Sequence, residues 1–234
     1  MVYVQESVEP VTGDSCILIP SYNEERTIGE IVGKLKERKF TVYVVDDGSS
    51  DATALRAAAE GAVVIKNATN MGKGAAMRAG FNRILGEGKF DLIIVMDGDD
   101  QHDIDDIEHL IKKAHESGAD LVLGNRMQDT SRMPIVRIAT NRFMSWLLSV
   151  MTGRDIPDTQ CGFRLIKAGL LKKIPLKSSN YDIDSEIILR AARAGFKIDS
   201  TPVKTVYKDE KSKINPFVDT LRFVRLLIFN TFRR

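Results

Sequence analysis

The sequence contains few cysteines and no long hydrophobic run. Cys16 and Cys161 are its two cysteines, and they form no Cys-x-x-Cys motif. A disulfide framework and a cysteine-based zinc site are therefore not expected, and a reducing compartment suits the chain. No stretch approaches the roughly 18 apolar residues that span a bilayer, and residues 1–15 lack the basic start and apolar run of a signal peptide. We expect a cytoplasmic protein that touches a membrane without crossing it.

The sequence also lacks an excess of charge of one sign. Lys and Arg number 34 against 32 Asp and Glu, for a net charge of +2, so no nucleic-acid partner is expected. The charges are unevenly distributed, since residues 211–234 carry six basic residues and one acidic residue, whereas residues 97–108 carry seven carboxylates and no Lys or Arg. The acidic segment favours a bound cation, although the carboxylates from 103 to 108 also suit the start of a helix.

Short apolar segments alternate with helical periodicity in the first half of the chain. Strands are predicted at residues 16–20, 41–46, 62–66, 91–97 and 119–124. An amphipathic helix is predicted around Ile28 to Leu35 with Asn23 as its cap, and a second from Ser49 or Ser50 through Glu60. Further helices are predicted at 73–85, 104–117, 135–151 and 184–194. This alternation predicts one α/β domain with a mostly parallel central sheet and helices on both faces.

Three predicted strands end in polar clusters, at residues 20–25, 46–49 and 97–101. Ligands bind at the carboxyl ends of strands in open parallel sheets. Asp97 and Asp99 are two residues apart and project to one side of an extended chain, where their charges repel. Mg²⁺ or Mn²⁺ would relieve that repulsion and bind a pyrophosphate, with Gln101 as a neutral oxygen ligand. The alternative is an acidic turn that caps the next helix.

The glycines of Asn70-Met71-Gly72-Lys73-Gly74 do not complete a known nucleotide-binding loop. The segment lacks the GxxxxGK[ST] spacing and the third glycine of GxGxxG, so no ATP site is predicted. Gly72 and Gly74 could present backbone amides to a ligand, or simply join a loop to a helix. The histidines, His102, His109 and His115, are predicted to lie on a helix surface.

Together these motifs resemble the successive signatures of glycosyltransferase family 2. The residues that carry the resemblance are 20–25, 44–51, 70–74 and 96–102. More narrowly, the chain resembles the dolichyl- and polyprenyl-phosphate mannosyl- and glucosyltransferases, with further matches at 124–126, 158–163 and 212–213. The resemblance implies a GT-A fold over residues 16–215, preceded by an N-terminal extension at 1–15 and followed by an amphipathic basic helix at 216–234.

The resemblance also implies roles for the donor-side residues. Pro20, Tyr22 and Glu24 would surround the base and ribose of a nucleotide sugar, and Asp47 would read the base. Asp97 would contact the ribose or the ion, while Asp99 and Gln101 would hold Mg²⁺ or Mn²⁺ on the diphosphate. Tyr22 could instead pack over the sheet edge, and Asp47 could be a turn residue beside Gly48.

Arg126, Arg142 and Lys213 are the candidates to hold an acceptor phosphate, because guanidinium and ammonium groups bind phosphate oxygens. Arg126 follows a predicted strand, and the resemblance places Arg142 and Lys213 near it; each is otherwise a surface charge. A lipid phosphate, with a second pKa near about 6, is largely a dianion that attacks without a strong base. A hydroxyl acceptor would need a carboxylate base such as Asp99 or Asp100.

The resulting expectation is an inverting, metal-dependent transfer of a hexose from GDP-mannose or UDP-glucose to a polyprenyl or dolichyl phosphate on the cytoplasmic membrane face. Residues 159–163 resemble the glucosyl branch, whereas 101–102 and 212–213 resemble the mannosyl branch, so the sugar stays open. The 216–234 helix is predicted either to lie in the headgroup layer or to dock on the domain. Two alternatives remain: a transferase acting on a soluble or polysaccharide hydroxyl, and a non-enzymatic signalling receiver that uses Asp46, Asp47 and Lys73.

Overall fold

The computed structural model of the protein describes residues 14–131 and 133–205. Within these ranges strands and helices alternate along the chain. Their bounds are β1 Ser15–Ser21, α1 Ile28–Glu37, β2 Thr41–Asp46, α2 Thr53–Ala59, β3 Val63–Lys66, α3 Lys73–Glu87, β4 Leu92–Val95, α4 Asp106–Ser117, β5 Leu121–Asn125, α5 Ile135–Thr152, β6 Arg164–Lys167, α6 Ala168–Leu171, α7 Ile183–Arg193 and β7 Ile198–Pro202. The predicted α/β class and the five predicted strands are confirmed; β6, α6 and β7 were not predicted.

The strands form one mostly parallel sheet in the order β3-β2-β1-β4-β6-β5-β7. Only β6 runs antiparallel among the described strands, pairing Ile93 with Ile166 on one side and Val122 with Leu165 on the other. The chain builds β1, β2 and β3 outward in one direction and then returns to place β4 on the other side of β1. Such a reversal opens a crevice at the strand ends, which is where ligands bind in sheets of this kind.

The sheet has a hydrophobic core on each face. Ile17, Ile19 and Ile94 point to one face, where they pack with apolar residues of α1, α2 and α4. Leu18, Ile93 and Val95 point to the other, where they pack with α3, α5 and α7. Because successive strand residues alternate between faces, the continuous apolar segments of β1 and β4 supply both cores. This confirms the predicted helices on both faces.

The two predicted helix caps are wrong. Helix α1 begins after Thr27, and helix α2 begins after Ala52 with no side-chain cap. Asn23 instead lies in a turn at φ 53°, where its amide donates to Ser49 Oγ and its Oδ1 accepts from the Ser50 amide. These three polar side chains join the loops after β1 and β2 to each other, so they do not cap either helix.

Some predictions concern residues outside the described ranges. Residues 1–13 of the predicted N-terminal extension (1–15), Lys213 and the 216–234 helix belong to this group, so they stay predictions. Among the helices of residues 14–205 that the structure describes, none is long and apolar enough to cross a membrane.

Candidate active site

A cavity of about 330 Å³ opens at the carboxyl ends of β1, β2, β4 and β5. Eight of the predicted site residues line it: Pro20, Tyr22, Glu24, Asp47, Asp97, Asp99, Gln101 and Arg126. Their side chains come from four separate strand ends, which the sheet order brings to one edge. The tertiary structure therefore brings most of the predicted site residues into a single crevice. This crevice extends from the gap between β1 and β4, where the strand order reverses, to the end of β5.

The ends of β1 and β4 approach very closely in this crevice. A Cβ on Gly98 would lie 2.7 Å from Ser21 Oγ, and Thr27 Oγ1 donates to the Gly98 carbonyl. A glycine at this position can make room for a ligand. In the structure it makes room for the neighbouring strand end, which fixes the loop that carries Asp97 and Asp99.

Asp97 already has two partners inside the protein, a lysine and a histidine. Its Oδ1 lies 2.7 Å from Lys73 Nζ and its Oδ2 lies 3.3 Å from His102 Nε2. Burial alone would raise the pKa of Asp97, but the positive charge of Lys73 and the hydrogen bond with His102 outweigh it and hold that pKa well below its usual range. Asp97 is therefore ionised and anchored at neutral pH.

His102 does not lie on a helix surface, so that prediction is wrong. It is 6% exposed, and its ring stacks on Phe163 with 4.9 Å between ring centroids. The chain turns at Asp100, which has a φ of 57°, and this turn directs His102 back under the cavity before α4 begins. Because His102 precedes α4, helical periodicity does not predict the direction of its side chain.

Asp99 is in the opposite electrostatic situation. Burial, and then the negative charge of Asp97, raise the pKa of its carboxyl above the usual range. Its Oδ1 accepts a hydrogen bond from the Gln101 amide at 3.2 Å. A carboxylate that is disfavoured by burial and by a like charge is one that a cation would stabilise.

The oxygen atoms near Asp99 suit a hard cation only if substrate phosphates complete its coordination shell. No group of three or more His, Cys, Asp or Glu side chains placed to hold a metal occurs in the described part of the chain. Asp97, Asp99 and Gln101 offer two carboxylates and one amide oxygen, all on the cavity wall. Mg²⁺ commonly uses one or two carboxylates and completes its shell with waters and substrate phosphates. The residues therefore fit an ion that binds with a diphosphate.

Lys73 is a site residue that was not predicted for this chemistry. Its ammonium group, 12% exposed, lies 2.7 Å from Asp97 and 3.3 Å from Asp184 Oδ2. Asp184 in turn pairs at 3.0 Å with Arg164, whose side chain is fully buried. Burial lowers the pKa of Lys73, but the two carboxylates outweigh burial and raise it. A chain of alternating charges thus connects the loop after β4 with α3, α7 and β6.

Asp47 organises the loop between β3 and α3. Its carboxylate accepts hydrogen bonds from Asn67 Nδ2 at 2.8 Å, the Met71 amide at 3.0 Å and the Gly72 amide at 2.7 Å. The Gly74 amide donates to the carbonyl of Ser179 at 2.9 Å. The amides of Gly72 and Gly74 are thus engaged by the protein, which favours the loop-to-helix interpretation of this segment. Asp47 still lines the cavity, and its role in reading a base stays a prediction.

Arg126 faces the acidic residues from the β5 side of the cavity. Its guanidinium makes a two-pronged contact with Asp158, with Nε to Oδ2 at 2.9 Å and Nη2 to Oδ1 at 3.0 Å. Asp158 is buried, and its Oδ1 also accepts from Asn141 Nδ2 at 2.8 Å. Burial raises the pKa of Asp158, but Arg126 outweighs it and lowers that pKa. Arg126 is thereby fixed in position.

Arg142 does not reach the cavity in this structure. It is exposed on α5, whereas Arg137 and Met144 of the same helix line the cavity. Positions 137 and 144 are seven residues apart and share one helix face, from which 142 is rotated away by more than a quarter-turn. Arg137 was not predicted. The sequence indicates it only through its helical spacing, since it precedes the buried Asn141 by four residues and the buried Met144 by seven.

Glu186 of α7 holds a neighbouring loop in place. Its carboxylate accepts from the amides of Lys177 and Ser178 at 2.9 and 2.8 Å, and from Arg190 Nε at 2.7 Å. Ser179 and Asn180 follow in that loop; the Ser179 carbonyl binds the start of α3, and Asn180 lines the cavity. Glu186 therefore supports the cavity wall from behind.

Comparison with known proteins relates this arrangement to enzymes. The model of the family described as glycosyl transferase family 2 matches residues 16–175. The undecaprenyl-phosphate mannosyltransferase of Micrococcus luteus is 32% identical over 207 residues, which cover 82% of this chain and 83% of that protein. The UDP-N-acetylglucosamine–dolichyl-phosphate N-acetylglucosaminyltransferase of Methanococcus voltae is 27% identical over 216 residues, covering 82% and 86%.

A solved structure shares the fold. Glucosyl-3-phosphoglycerate synthase from Mycobacterium tuberculosis, crystallised with Mn²⁺, uridine diphosphate and phosphoglyceric acid, superposes with a TM-score of 0.71 at 18% identity. The match covers 94% of this chain and 79% of that one. This likeness confirms the predicted GT-A architecture.

Proposed function

The chain belongs to glycosyl transferase family 2, and on that premise we propose that it transfers a hexose from a nucleotide sugar to a polyprenyl phosphate. The observation that carries the proposal is the cavity itself, where a pair of carboxylates just after β4 faces a fixed arginine just after β5. One wall suits a metal-bound diphosphate and the other suits a phosphate acceptor. The two named relatives that act on lipid phosphates support the choice of acceptor.

On the donor side, we assign the nucleoside to the wall formed by Pro20, Tyr22, Glu24 and Asp47. A divalent cation, Mg²⁺ or Mn²⁺, would act there as a Lewis acid that stabilises the charge of the departing diphosphate. Asp99 and Gln101 would hold it, with Asp97 at the ion or the ribose. Lys73 and His102 keep Asp97 ionised and oriented for that contact.

On the acceptor side, Arg126 would bind the phosphate oxygens through the part of its guanidinium that Asp158 leaves open. A phosphate oxygen would attack the anomeric carbon from the face opposite the leaving group. The new carbon–oxygen bond forms as the bond to the diphosphate breaks, so the configuration inverts. Because the acceptor is already ionised at neutral pH, no residue of the chain needs to remove a proton.

The direct test is sugar transfer to lipid. The full chain is incubated in detergent with Mn²⁺ or Mg²⁺, a polyprenyl phosphate, and labelled GDP-mannose or UDP-glucose in separate reactions. We expect labelled lipid with one donor, and no label when EDTA replaces the metal. The absence of labelled lipid with every common nucleotide sugar would refute the proposal.

Substitution of Arg126 distinguishes the proposed transfer to a lipid phosphate from its main alternative, transfer to a soluble or polysaccharide hydroxyl. Arg126→Lys keeps the charge but loses the two-pronged geometry, and we expect it to raise KM for lipid phosphate by about 10–100-fold, the equivalent of one lost charged hydrogen bond. Arg83→Ala, which removes a surface arginine paired with Glu87, is the matched control and should not change KM. An unchanged KM in Arg126→Lys, together with transfer to a hydroxyl, would favour the alternative.

We place the activity at the cytoplasmic face of a membrane, where a polyprenyl phosphate headgroup is accessible. The predicted basic helix at 216–234 is proposed as one peripheral contact. Arg142 and Lys213 stay predicted contributors to the acceptor phosphate. The donor sugar is left open between mannose and glucose.

A further inference from the structure

The loop between α5 and β6 crosses the wall of the cavity. At Asp158 it contacts Arg126 through two hydrogen bonds, with Nε to Oδ2 at 2.9 Å and Nη2 to Oδ1 at 3.0 Å. Further along it packs against Asp97, since a Cβ on Gly162 would lie 2.3 Å from Asp97 Oδ2. Gln160 lies between these two contacts and lines the cavity. The loop therefore extends from the fixed arginine to the carboxylate pair.

The position of Gln160 is central to the reaction proposed above. In an inverting displacement the anomeric carbon lies between the attacking oxygen and the oxygen of the leaving group. The proposed function places the attacking phosphate at Arg126 and the metal-bound diphosphate at Asp99. The transferred sugar then lies alongside the part of the loop that carries Gln160. This placement of the sugar rests on the proposed function.

Hydrogen bonds hold this part of the loop in place. The Thr159 hydroxyl donates to Asn141 Oδ1 at 3.3 Å, and the Thr159 amide donates to Ser145 Oγ at 3.2 Å. The Gln160 amide donates to Asp158 Oδ1 at 3.0 Å. Thr159 thus uses its polar groups within the protein, and the backbone of Gln160 is fixed. A side chain on a fixed backbone loses less entropy when it contacts a ligand.

The carboxamide of Gln160 keeps unused hydrogen-bonding capacity. Its Nε2 donates to Met144 Sδ at 3.0 Å, and a thioether sulfur is only a weak acceptor. Within residues 14–131 and 133–205, no group donates a hydrogen bond to Gln160 Oε1. The side chain is half-buried and lines the cavity. An acceptor oxygen and a donor N–H are thus available side by side to a ligand in the cavity.

Asp184, another polar residue of the cavity wall, is less suited to contact a neutral sugar. Its Oδ2 lies 3.3 Å from Lys73 Nζ, and its Oδ1 lies 3.0 Å from Arg164 Nη2. Both carboxylate oxygens are therefore paired with cations. A sugar hydroxyl would have to compete with those charges at Asp184, whereas at Gln160 it replaces only the contact with a thioether.

We propose that Gln160 hydrogen-bonds two neighbouring hydroxyl groups of the transferred sugar and determines which hexose the chain accepts. A hexose ring carries hydroxyls on adjacent carbons, and the carboxamide offers one donor and one acceptor to such a pair. An epimer turns one of those hydroxyls away, so a polar group of the cavity is left unpaired. Gln160 thus selects among sugars that are carried by the same nucleotide.

Nucleotide sugars that share a nucleotide and differ in one hydroxyl test this role. The full chain with Mn²⁺ is given UDP-glucose or its epimer UDP-galactose, and GDP-mannose or its epimer GDP-glucose. Calorimetry measures binding, and the ratio of kcat/KM for two epimers measures selectivity. We expect Gln160→Met to weaken binding of the preferred nucleotide sugar about tenfold, the equivalent of one neutral hydrogen bond, and to lower the selectivity by a similar factor. The affinities for UDP and GDP, and KM for the polyprenyl phosphate, should not change.

Gln128→Met is the matched control. Gln128 is an exposed glutamine in the loop after β5, outside the cavity, so affinity and selectivity should equal those of the unaltered chain. Unchanged binding of UDP and GDP by Gln160→Met verifies that the donor site of this variant remains folded.

Several results would overturn the role of Gln160. One is a Gln160→Met variant that keeps both the affinity for the nucleotide sugar and the selectivity between epimers. A rise in KM for the polyprenyl phosphate alone would assign Gln160 to the acceptor, and an equal loss of UDP or GDP binding would assign it to the nucleotide.

The outcome for the proposed function is distinguishable from the outcome for Gln160. If Gln160→Met weakens nucleotide-sugar binding but the chain forms no labelled lipid, the proposed acceptor is wrong and the role of Gln160 stands. If the chain binds none of these nucleotide sugars, both proposals are wrong.

Discussion

The two sides of the cavity are built in different ways. The proposed donor side consists of parallel strands β1, β2 and β4, each with polar residues directly after its end, and its carboxylates are incompletely neutralised by the protein. The proposed acceptor side consists of β5, the antiparallel β6 and helices α5 and α7, and its charges are buried as pairs such as Arg126 with Asp158. One side keeps negative charge that a ligand can neutralise, whereas the other uses its charges to fix its own geometry.

The contrast is clearest between Asp99 and Asp158. Burial and a like charge raise the pKa of Asp99, whereas Arg126 outweighs burial at Asp158 and lowers that pKa. The ionised form of Asp99 therefore destabilises the fold, and a bound cation can offset that loss of stability. The ionised form of Asp158, in contrast, contributes to stability. Mutations on the two sides should separate activity from stability.

The largest effect is expected for Asp99→Asn. Loss of one anionic ligand to a metal-bound diphosphate should lower kcat about a thousandfold or more, equivalent to about 4 kcal/mol of transition-state stabilisation. The free energy of unfolding should stay equal or rise, because a disfavoured buried charge is removed. Urea unfolding and turnover are measured on the same samples, together with Mn²⁺ and nucleoside diphosphate binding by calorimetry.

Glu108→Gln is the control for Asp99→Asn. Glu108 belongs to the same acidic segment but lies exposed on α4, outside the cavity, and turnover should not change. If Asp99→Asn kept full turnover, the donor side would not hold its charge for a metal-bound ligand.

Asp158→Ala should show the opposite behaviour on the acceptor side. It leaves the largely buried Arg126 without its partner, and breaking a buried ion pair costs roughly 3–5 kcal/mol. We expect about 3 kcal/mol, the lower end, because Arg126 is 13% exposed and retains some solvent. Urea unfolding measures the loss, and Asp129→Ala, a change at an exposed aspartate of the same region, should cost much less. A loss no larger than that of Asp129→Ala would mean that the pair does not organise this side.

The smallest effect tests how tightly the donor side is packed. A Cβ on Gly80 would lie 2.3 Å from Leu18 Cδ1, so Gly80→Ala should force α3 away from β1 and cost about 1–3 kcal/mol. Gly86 lies in the same helix, and a Cβ there would meet no other atom within 4 Å, so Gly86→Ala should stabilise by about 0.5–1 kcal/mol. Thermal unfolding compares the two. Equal effects would contradict close packing of α3 on the sheet.

The donor side was largely predictable from the sequence. Its strands are continuous apolar segments with polar residues immediately after them, and parallel strands bring those residues to one edge wherever the chain reverses. Pro20, Asp47, Asp97 and Asp99 could therefore be predicted as site residues from their positions after the strands. His102 was misplaced because the turn at Asp100 has no signal in helical periodicity.

The acceptor side was predictable only in part. Arg126 directly follows a strand and was identified, but the antiparallel β6 was not, because its four residues are too short for periodicity. The partners Asp158, Asp184 and Arg164 lie far apart in the sequence, and no local pattern relates an arginine on one strand to a carboxylate on a later helix.

The sequence by itself determined the class of fold and the acidic cluster after β4, because hydrophobic periodicity sets local structure and the cluster is contiguous. Only the tertiary structure decided how charge is distributed around the cavity. It paired Lys73 with Asp97 and Asp184 and placed Asp158 against Arg126. It also left the ionised form of Asp99 disfavoured by burial and by the charge of Asp97. It also left Phe143 and Trp146 of α5 exposed. These outcomes depend on burial and on distances between elements, which the order of residues does not specify.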